Sequence, residues 1–135
     1  MPTDGPPLPD PKARTLPRGQ RRYRRKVASP KQWQAIIAAK QGPCRVCTLP
    51  QLNGATTHAS RRIQLHHIVA RDHSGDDVPD NIVPLCPECH HRVTIRASLE
   101  CRELLECLTD AEYAYMIERG GEDYPERAYG IEYRR

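Results

Sequence analysis

Apolar residues occur in short groups along the chain, and the spacing within each group predicts the element that it forms. Residues 30–40 are expected to be a helix, because Ser29 and Gln32 can form a capping box and the apolar residues that follow lie on one helical face. Two short apolar segments, residues 63–69 and 82–85, are expected to be strands.

The second half of the chain is predicted to be mainly helical. Apolar patterns with helical spacing begin near Pro87, at Ser98 and after a capping box of Thr109 with Glu112. The last segment, residues 122–135, is rich in Tyr and either packs back on the core or forms a loose end. Packing back would bury Tyr124, Tyr129 and Ile131. Few strands beside several helices predict an α+β fold.

The amino-acid composition limits the size of the core. Of 135 residues, 38% are hydrophobic, none is Phe and 13 are Pro, so the fold needs a metal ion or a disulfide to hold it together. The longest apolar run, residues 35–39, is far too short to cross a membrane. The first residues contain no apolar segment of a signal peptide, so we expect a cytoplasmic protein.

The N-terminal part of the chain differs from the rest in charge and in proline content. Residues 1–30 carry eight basic and two acidic side chains, whereas residues 98–135 carry five basic and ten acidic ones. We therefore expect residues 1–28 to be a disordered basic tail. Its cationic end is interpreted either as an arm that binds nucleic-acid phosphates or as a solubilising leader. The arginines concerned are Arg21, Arg22, Arg24 and Arg25.

Four of the six cysteines form two C-x-x-C pairs, namely Cys44 with Cys47 and Cys86 with Cys89. Four thiolates at this spacing are typical of a tetrahedral Zn²⁺ site, which is closed to substrates and stabilises the fold. Disulfides are the alternative, but no secretion signal favours them. The pairs are separated by residues 48–85, so the metal would clamp the two ends of a long insert.

Four further residues in and beside this insert have side chains suited to catalysis or metal binding: His66, His67, Asn81 and His90. With the C-x-x-C pairs, they resemble the HNH endonucleases, whose ββα-metal site has His-His or Asp-His on its first strand, Asn before the second and His after the second zinc knuckle. The resemblance covers about residues 44–96 and implies a nuclease domain at 29–97, with residues 98–135 as a C-terminal helical extension. More loosely, the chain is similar to small free-standing HNH proteins of phages and prophages.

The resemblance implies a role for each of these residues. His66 and His90 would be ligands of a catalytic divalent ion, His67 would be the general base, and Asn81 would fix the loop and orient the His67 ring. The ion would be Mg²⁺, Mn²⁺, Ni²⁺ or Zn²⁺, in addition to the structural Zn²⁺. These residue types suit the chemistry, since an imidazole that titrates near neutral pH can activate water and a divalent ion can neutralise charge on a phosphate.

Some details of the sequence complicate this assignment. Neighbouring strand residues such as His66 and His67 should point to opposite faces, so one shared site needs a twist, a bulge or a phosphate between them. Some family members have a third His four residues after the ligand at the His90 position, and this chain has Thr94 there. His91 directly follows His90 but is turned about 100° round the helix from it, so we expect His91 at the surface.

Basic residues near the motif are expected to contact the DNA backbone, because arginine forks suit phosphate oxygens. They are Arg71, Arg92 and Arg96. Two histidines in polar loops, His58 and His73, are expected to be exposed to solvent. No recognition helix is evident, so we expect binding to double-stranded DNA with weak sequence specificity and strong salt dependence.

The sequence therefore predicts a metal-dependent DNA endonuclease or nickase that hydrolyses phosphodiester bonds. The resemblance also implies a role beside a phage terminase in DNA packaging, in the cytoplasm of a host cell. The alternative is a zinc-stapled nucleic-acid-binding module without catalysis, which would not explain why all four motif residues are present. A zinc deaminase is disfavoured, because Ile68 and Val69 stand where its H-x-E motif needs a glutamate.

Overall fold

The computed structural model describes residues 24–48 and 62–135, and its fold is α+β with one two-stranded sheet. The elements in chain order are α1 (Pro30–Lys40), β1 (Gln64–His67), β2 (Ile82–Leu85), α2 (Pro87–Thr94), α3 (Ser98–Cys107), α4 (Asp110–Gly120) and α5 (Tyr124–Tyr129). Two single turns of 3-10 helix, Arg71–His73 and Pro79–Asn81, lie in the loop between the strands.

The two strands form an antiparallel hairpin at the centre of the molecule. His66 lies opposite Val83 and His67 lies opposite Ile82 in the register. Every residue of β2 is buried, including Pro84, whereas β1 is only partly covered. The hairpin therefore carries the histidines at the edge of the core rather than inside it.

Strand β1 is shorter than the predicted strand at residues 63–69. The chain leaves the ladder after His67, and the side chain of Asn81 takes over the pairing of Val69. Its Oδ1 accepts from the Val69 N–H at 2.7 Å, and its Nδ2 donates to the Val69 carbonyl at 3.0 Å. A side-chain amide thus replaces a strand partner at the point where the loop begins.

Helices α1 and α4 begin as the sequence predicts, each with a complete capping box. Ser29 and Gln32 bond each other's backbone N–H groups, and Thr109 and Glu112 do the same. Helix α2 begins at Pro87, directly after the N-cap Cys86. The starts of α1 and α4 were predictable because a capping box depends only on residues that are close in sequence.

A buried carboxylate joins three distant parts of the fold. Glu112 is 0% exposed and accepts from Lys40 at the end of α1 at 2.5 Å. It also receives both terminal nitrogens of Arg45, at 2.9 and 3.1 Å. Burial opposes ionisation of Glu112, but these cations and hydrogen bonds hold its pKa below its usual value. The carboxylate therefore fastens the helical extension to the first zinc knuckle.

Residues 122–135 pack back on the core, and their first part forms α5, which the sequence analysis did not identify as a helix. Tyr124, Tyr129 and Ile131 are 1%, 5% and 5% exposed. A Cβ at Gly120 would lie 2.5 Å from the Tyr124 ring, so the close contact between α4 and α5 needs glycine there. Cys101 is fully buried and Cys107 is half-buried.

The last part of the predicted tail is ordered and contacts the loop between the strands. Lys26 donates its backbone N–H to Asp76 and accepts from the Asp77 N–H through its carbonyl. The Ala28 N–H donates to the Asp77 carboxylate at 3.0 Å. The predicted disordered tail therefore does not include residues 24–28, which contact the loop. Residues 1–23 lie outside the described part. Within the described ranges, no helix is long and apolar enough to span a membrane.

Candidate active site

The loop after β1 is held in one shape by Asn81, which is 0% exposed. Besides its two bonds to Val69, its Nδ2 donates to the Asp76 carbonyl at 3.0 Å. The same loop shape needs glycine at position 75, because a Cβ there would lie only 1.7 Å from the Val69 carbonyl oxygen and would clash with it. The Asn81 amide thus bonds backbone groups of the loop, and it does not bond the His67 ring.

The His67 ring is instead bonded to Asp77, with Nε2 at 2.8 Å from Oδ1. Hydrogen bonds from His67 and Ala28 and the charge of Arg25 hold the pKa of Asp77 below its usual value, although burial opposes this. An ionised carboxylate can only accept, so His67 donates through Nε2–H. The lone pair of His67 is therefore on Nδ1, the nitrogen available to take a proton.

Two further contacts hold the His67 ring and its carboxylate partner. Trp33 of α1 stacks on the ring, with centroids 6.0 Å apart and planes 8° from parallel. Arg25 donates to Asp77 at 2.5 Å and to the Gly75 carbonyl at 2.8 Å. Arg25, predicted as a DNA contact, thus uses its guanidinium inside the protein.

Burial lowers the pKa of His67 below its usual value, against the opposing effect of the Asp77 hydrogen bond. The positive charge of Arg71 acts in the same direction as burial. The ring is therefore neutral at neutral pH, which is the form that a general base needs before it accepts a proton.

His66 lies on the other side of β1 and contacts the C-terminal extension. Its Nε2 is 2.9 Å from the hydroxyl of Tyr129, and that hydroxyl donates to the Ile68 carbonyl at 2.5 Å. Burial lowers the pKa of His66 to about 3. A buried, neutral imidazole is the form that binds a metal ion.

His90, on the first turn of α2, faces His66. The two ring centroids are 5.3 Å apart and the rings meet edge to face. Nδ1 of His90 lies 2.6 Å from Oε1 of Gln64, which can only accept, so His90 donates there and keeps its lone pair on Nε2. Burial lowers the pKa of His90 as well. Two neutral imidazoles that face each other fit a divalent ion, and open positions would remain for water and phosphate.

The three histidines line one open cleft of about 410 Å³, together with Trp33, Arg71 and Thr94. His66 and His67 turn to different neighbours, as adjacent strand residues must, yet both border this cleft because β1 ends at His67. The two side chains thus reach one cleft although they point to different neighbours.

The remaining histidines of the described part have other surroundings. Thr94 stands where some relatives have a third His, and its hydroxyl donates to the His90 carbonyl. His91 is exposed, as predicted. His73, predicted to be exposed, is half-buried with its Nδ1 3.0 Å from the Tyr124 hydroxyl. Residue 58 lies outside the described residues.

A separate cluster contains Cys44, Cys47, Cys86 and Cys89. Their sulfur atoms all lie within 4.8 Å of one another. Cys47 Sγ is 3.9 Å from Cys86 Sγ and 3.7 Å from Cys89 Sγ. A tetrahedron with Zn–S bonds of about 2.3 Å has edges of roughly 3.8 Å, so the cluster has the size of a zinc site.

The local structure brings the two knuckles together. The Arg45 N–H donates to the Pro84 carbonyl at 2.9 Å, which joins the first knuckle to the end of β2. Cys86 is the N-cap of α2, and its sulfur accepts from the Cys89 N–H at 3.4 Å. Burial raises the pKa of the Cys86 thiol to about 12, so a bound cation is needed to hold all four sulfurs as thiolates.

The predicted DNA contacts differ in their surroundings. Arg71 is exposed beside the cleft, and Arg92 is exposed on α2. Arg24 is exposed at the start of the described residues. Arg96 is exposed but donates to the Glu126 carbonyl at the end of α5. Residues 21 and 22 lie outside the described part.

The sequence analysis did not identify four residues that hold the site, namely Trp33, Gln64, Asp77 and Tyr129. Each contacts a histidine that is distant along the chain or lies on another element. The sequence shows several aspartates in the loop between the predicted strands, but no local pattern distinguishes Asp77 from the others as the partner of His67.

Comparison with known families finds that the HNH endonuclease family model matches residues 44–96. This range contains both C-x-x-C pairs, the hairpin and most of the cleft. Comparisons with curated proteins and with solved structures give no match. Residues 44–96 of this chain are therefore similar to the HNH endonuclease family.

Proposed function

We propose that the protein is a metal-dependent endonuclease that hydrolyses phosphodiester bonds of double-stranded DNA. The single observation that carries this proposal is the cleft in which three neutral histidines meet, one of them bonded to a buried carboxylate. A binding module without catalysis has no need for an imidazole poised in this way.

His67 is the general base of the proposed reaction. Asp77 holds its Nε2–H, so Nδ1 takes the proton from a water molecule that attacks the phosphorus. The positive charge that then forms on the ring is stabilised by the Asp77 carboxylate 2.8 Å away. Asn81 keeps the loop that carries Asp77 in place through its bond to the Asp76 carbonyl.

His66 and His90 would hold the divalent ion through the nitrogens that their partners leave free. When bound, such an ion neutralises charge on the phosphate and on the departing 3′ oxygen. The four cysteines form the structural zinc site in this proposal and take no part in the reaction.

Exposed arginines supply the DNA affinity in this proposal. Arg24, Arg71 and Arg92 lie where they can contact phosphates, which position the duplex but carry no base sequence. Arg21 and Arg22, outside the described residues, extend the same basic arm. The specificity is therefore weak, and one cleft cuts one strand at a time. A function in phage DNA packaging beside a terminase belongs to the same proposal and has its support in the resemblance alone.

The test is a nicking assay on supercoiled plasmid with EDTA, Mg²⁺, Mn²⁺, Ni²⁺ or Zn²⁺. We expect metal-dependent nicking that falls by about 10²–10⁴-fold in His67→Ala, while the fold and zinc content stay unchanged. His91→Ala is the matched control, because His91 is exposed beside the proposed ligand and should cut like the wild type. DNA binding without cutting in every metal would contradict the proposal and favour the non-catalytic binding module.

A further inference from the structure

The C-terminal extension places one hydroxyl group against a histidine of the cleft, from outside the family match. Tyr129 lies at the end of α5, beyond residues 44–96, and is 5% exposed. Its oxygen lies between two partners, Nε2 of His66 at 2.9 Å and the carbonyl oxygen of Ile68 at 2.5 Å.

The chemistry of these partners determines where the protons are. A tyrosine hydroxyl has one hydrogen, and a carbonyl oxygen can only accept, so the Tyr129 hydrogen is donated to Ile68. The Tyr129 oxygen must then accept a hydrogen bond from His66, which requires that Nε2 of His66 carries the proton. The other ring nitrogen, Nδ1, is left with its lone pair.

We infer that Tyr129 is a positioning residue that holds His66 as the Nε2–H tautomer and so directs Nδ1 to the catalytic metal ion. This inference rests on the proposed function, which makes His66 a ligand. His90 is held in a similar way, because its Nδ1 donates to Gln64 and its Nε2 keeps the lone pair. A metal-binding histidine is commonly oriented by an acceptor on its second nitrogen. Here that acceptor comes from a helix outside the family domain.

Helix α5 holds the Tyr129 ring firmly enough for this role. The Tyr124 ring meets the Tyr129 ring edge to face, with centroids 6.2 Å apart. The Tyr124 hydroxyl accepts from the Ala70 N–H at 3.0 Å, which fixes α5 to the loop after β1. Gly130, with φ of 71°, ends the helix directly after Tyr129. These contacts fix the position of the Tyr129 hydroxyl.

The inference is tested with Tyr129→Phe, which removes the hydroxyl and keeps the ring. The first readout is ¹⁵N NMR of the histidine side chains in the full-length, zinc-loaded protein without added divalent ion. We expect the Nε2–H tautomer at His66 in the wild type and a mixture of tautomers in the variant. The second readout is Mn²⁺ affinity measured by electron paramagnetic resonance, which should fall by about 10–100-fold.

Tyr133→Phe is the matched control. It removes a hydroxyl from the same C-terminal extension, but that hydroxyl accepts from Nε of Arg135 at 3.4 Å and contacts neither a proposed ligand nor α5. We expect Tyr133→Phe to keep the His66 tautomer and the Mn²⁺ affinity of the wild type.

Each outcome separates this inference from the proposed function. If the wild type binds Mn²⁺ and Tyr129→Phe binds it equally well, the inference is overturned and the nuclease proposal stands. An Nδ1–H tautomer at His66 in the wild type overturns the inference without any variant, and so does not depend on whether Tyr129→Phe folds. If the wild type binds no Mn²⁺ and His66→Ala changes nothing, the proposed function fails, and the inference fails with it.

Discussion

The cysteine cluster and the histidine cleft lie at two ends of the same hairpin, and they are built in opposite ways. The cluster takes all four of its groups from two short C-x-x-C segments and is closed by them. The cleft has two proposed ligands and one proposed base, and each is held by a partner from elsewhere in the chain. A closed set of four thiolates suits a structural ion, whereas two imidazoles leave room for water and substrate.

The two centres should therefore respond differently when one of their residues is replaced. Removing one cysteine would remove a ligand of the proposed structural ion, and in that proposal the fold depends on the ion. Removing a partner of a histidine leaves the histidine in place but free to turn or to change its tautomer. Damage to the first centre should therefore appear as lost structure, and damage to the second as lost activity in a folded protein.

The largest effect is expected for Cys86→Ser. Loss of a structural zinc ligand costs a free energy of the same order as the whole stability of a small domain, about 5–15 kcal/mol. We expect no cooperative thermal transition by circular dichroism and no bound zinc by elemental analysis. Cys107→Ser is the control, because Cys107 lies outside the cluster and should retain both zinc and the transition. A folded, zinc-free Cys86→Ser protein would show that the cluster is not structural.

A smaller effect, confined to activity, is expected for Asp77→Asn. An asparagine can donate to Nε2 of His67 as well as accept from it, so part of the protein would carry its imidazole proton on Nδ1, the wrong nitrogen. We expect the nicking rate to fall by about 10–100-fold, less than in His67→Ala, with zinc content unchanged. The matched control is Asp80→Asn, an exposed aspartate of the same loop that should cut normally. Equal rates for the two variants would remove Asp77 from the site.

The smallest effect is expected for Arg92→Ala, which touches neither metal centre. Removing one phosphate contact should weaken DNA binding several-fold and reduce the slope of log affinity against log salt by about 1. The measurement is fluorescence anisotropy with a duplex at several salt concentrations. Arg102→Ala on the acidic extension is the control and should leave both affinity and slope unchanged. An unchanged slope in Arg92→Ala would place the DNA on another face.

Much of the fold could be predicted because its signals are local. The capping boxes of Ser29 and Thr109 set the starts of two helices. The C-x-x-C spacing identified the cluster, and the resemblance identified the three histidines that line the cleft. Each of these features depends on a few residues that are close in sequence or on a motif of fixed order.

The partners of the histidines could not be predicted, because they depend on contacts between distant residues. Tyr129 is 63 positions from His66 along the chain, and Arg25 is 52 positions from Asp77. No periodicity or spacing links such pairs. The order of residues 24–28 was missed for the same reason, since their partners are two aspartates in a loop far along the sequence.

The contact between His66 and Tyr129 also has a consequence for synthesis. A chain grows from its N-terminus, so the cysteines and histidines emerge well before α5 has been made. The hydroxyl that holds His66 is therefore among the last groups to join the site. A growing chain would carry the complete motif without the completed centre, and the proposed activity against DNA would reach its full level only after residue 129 has left the ribosome.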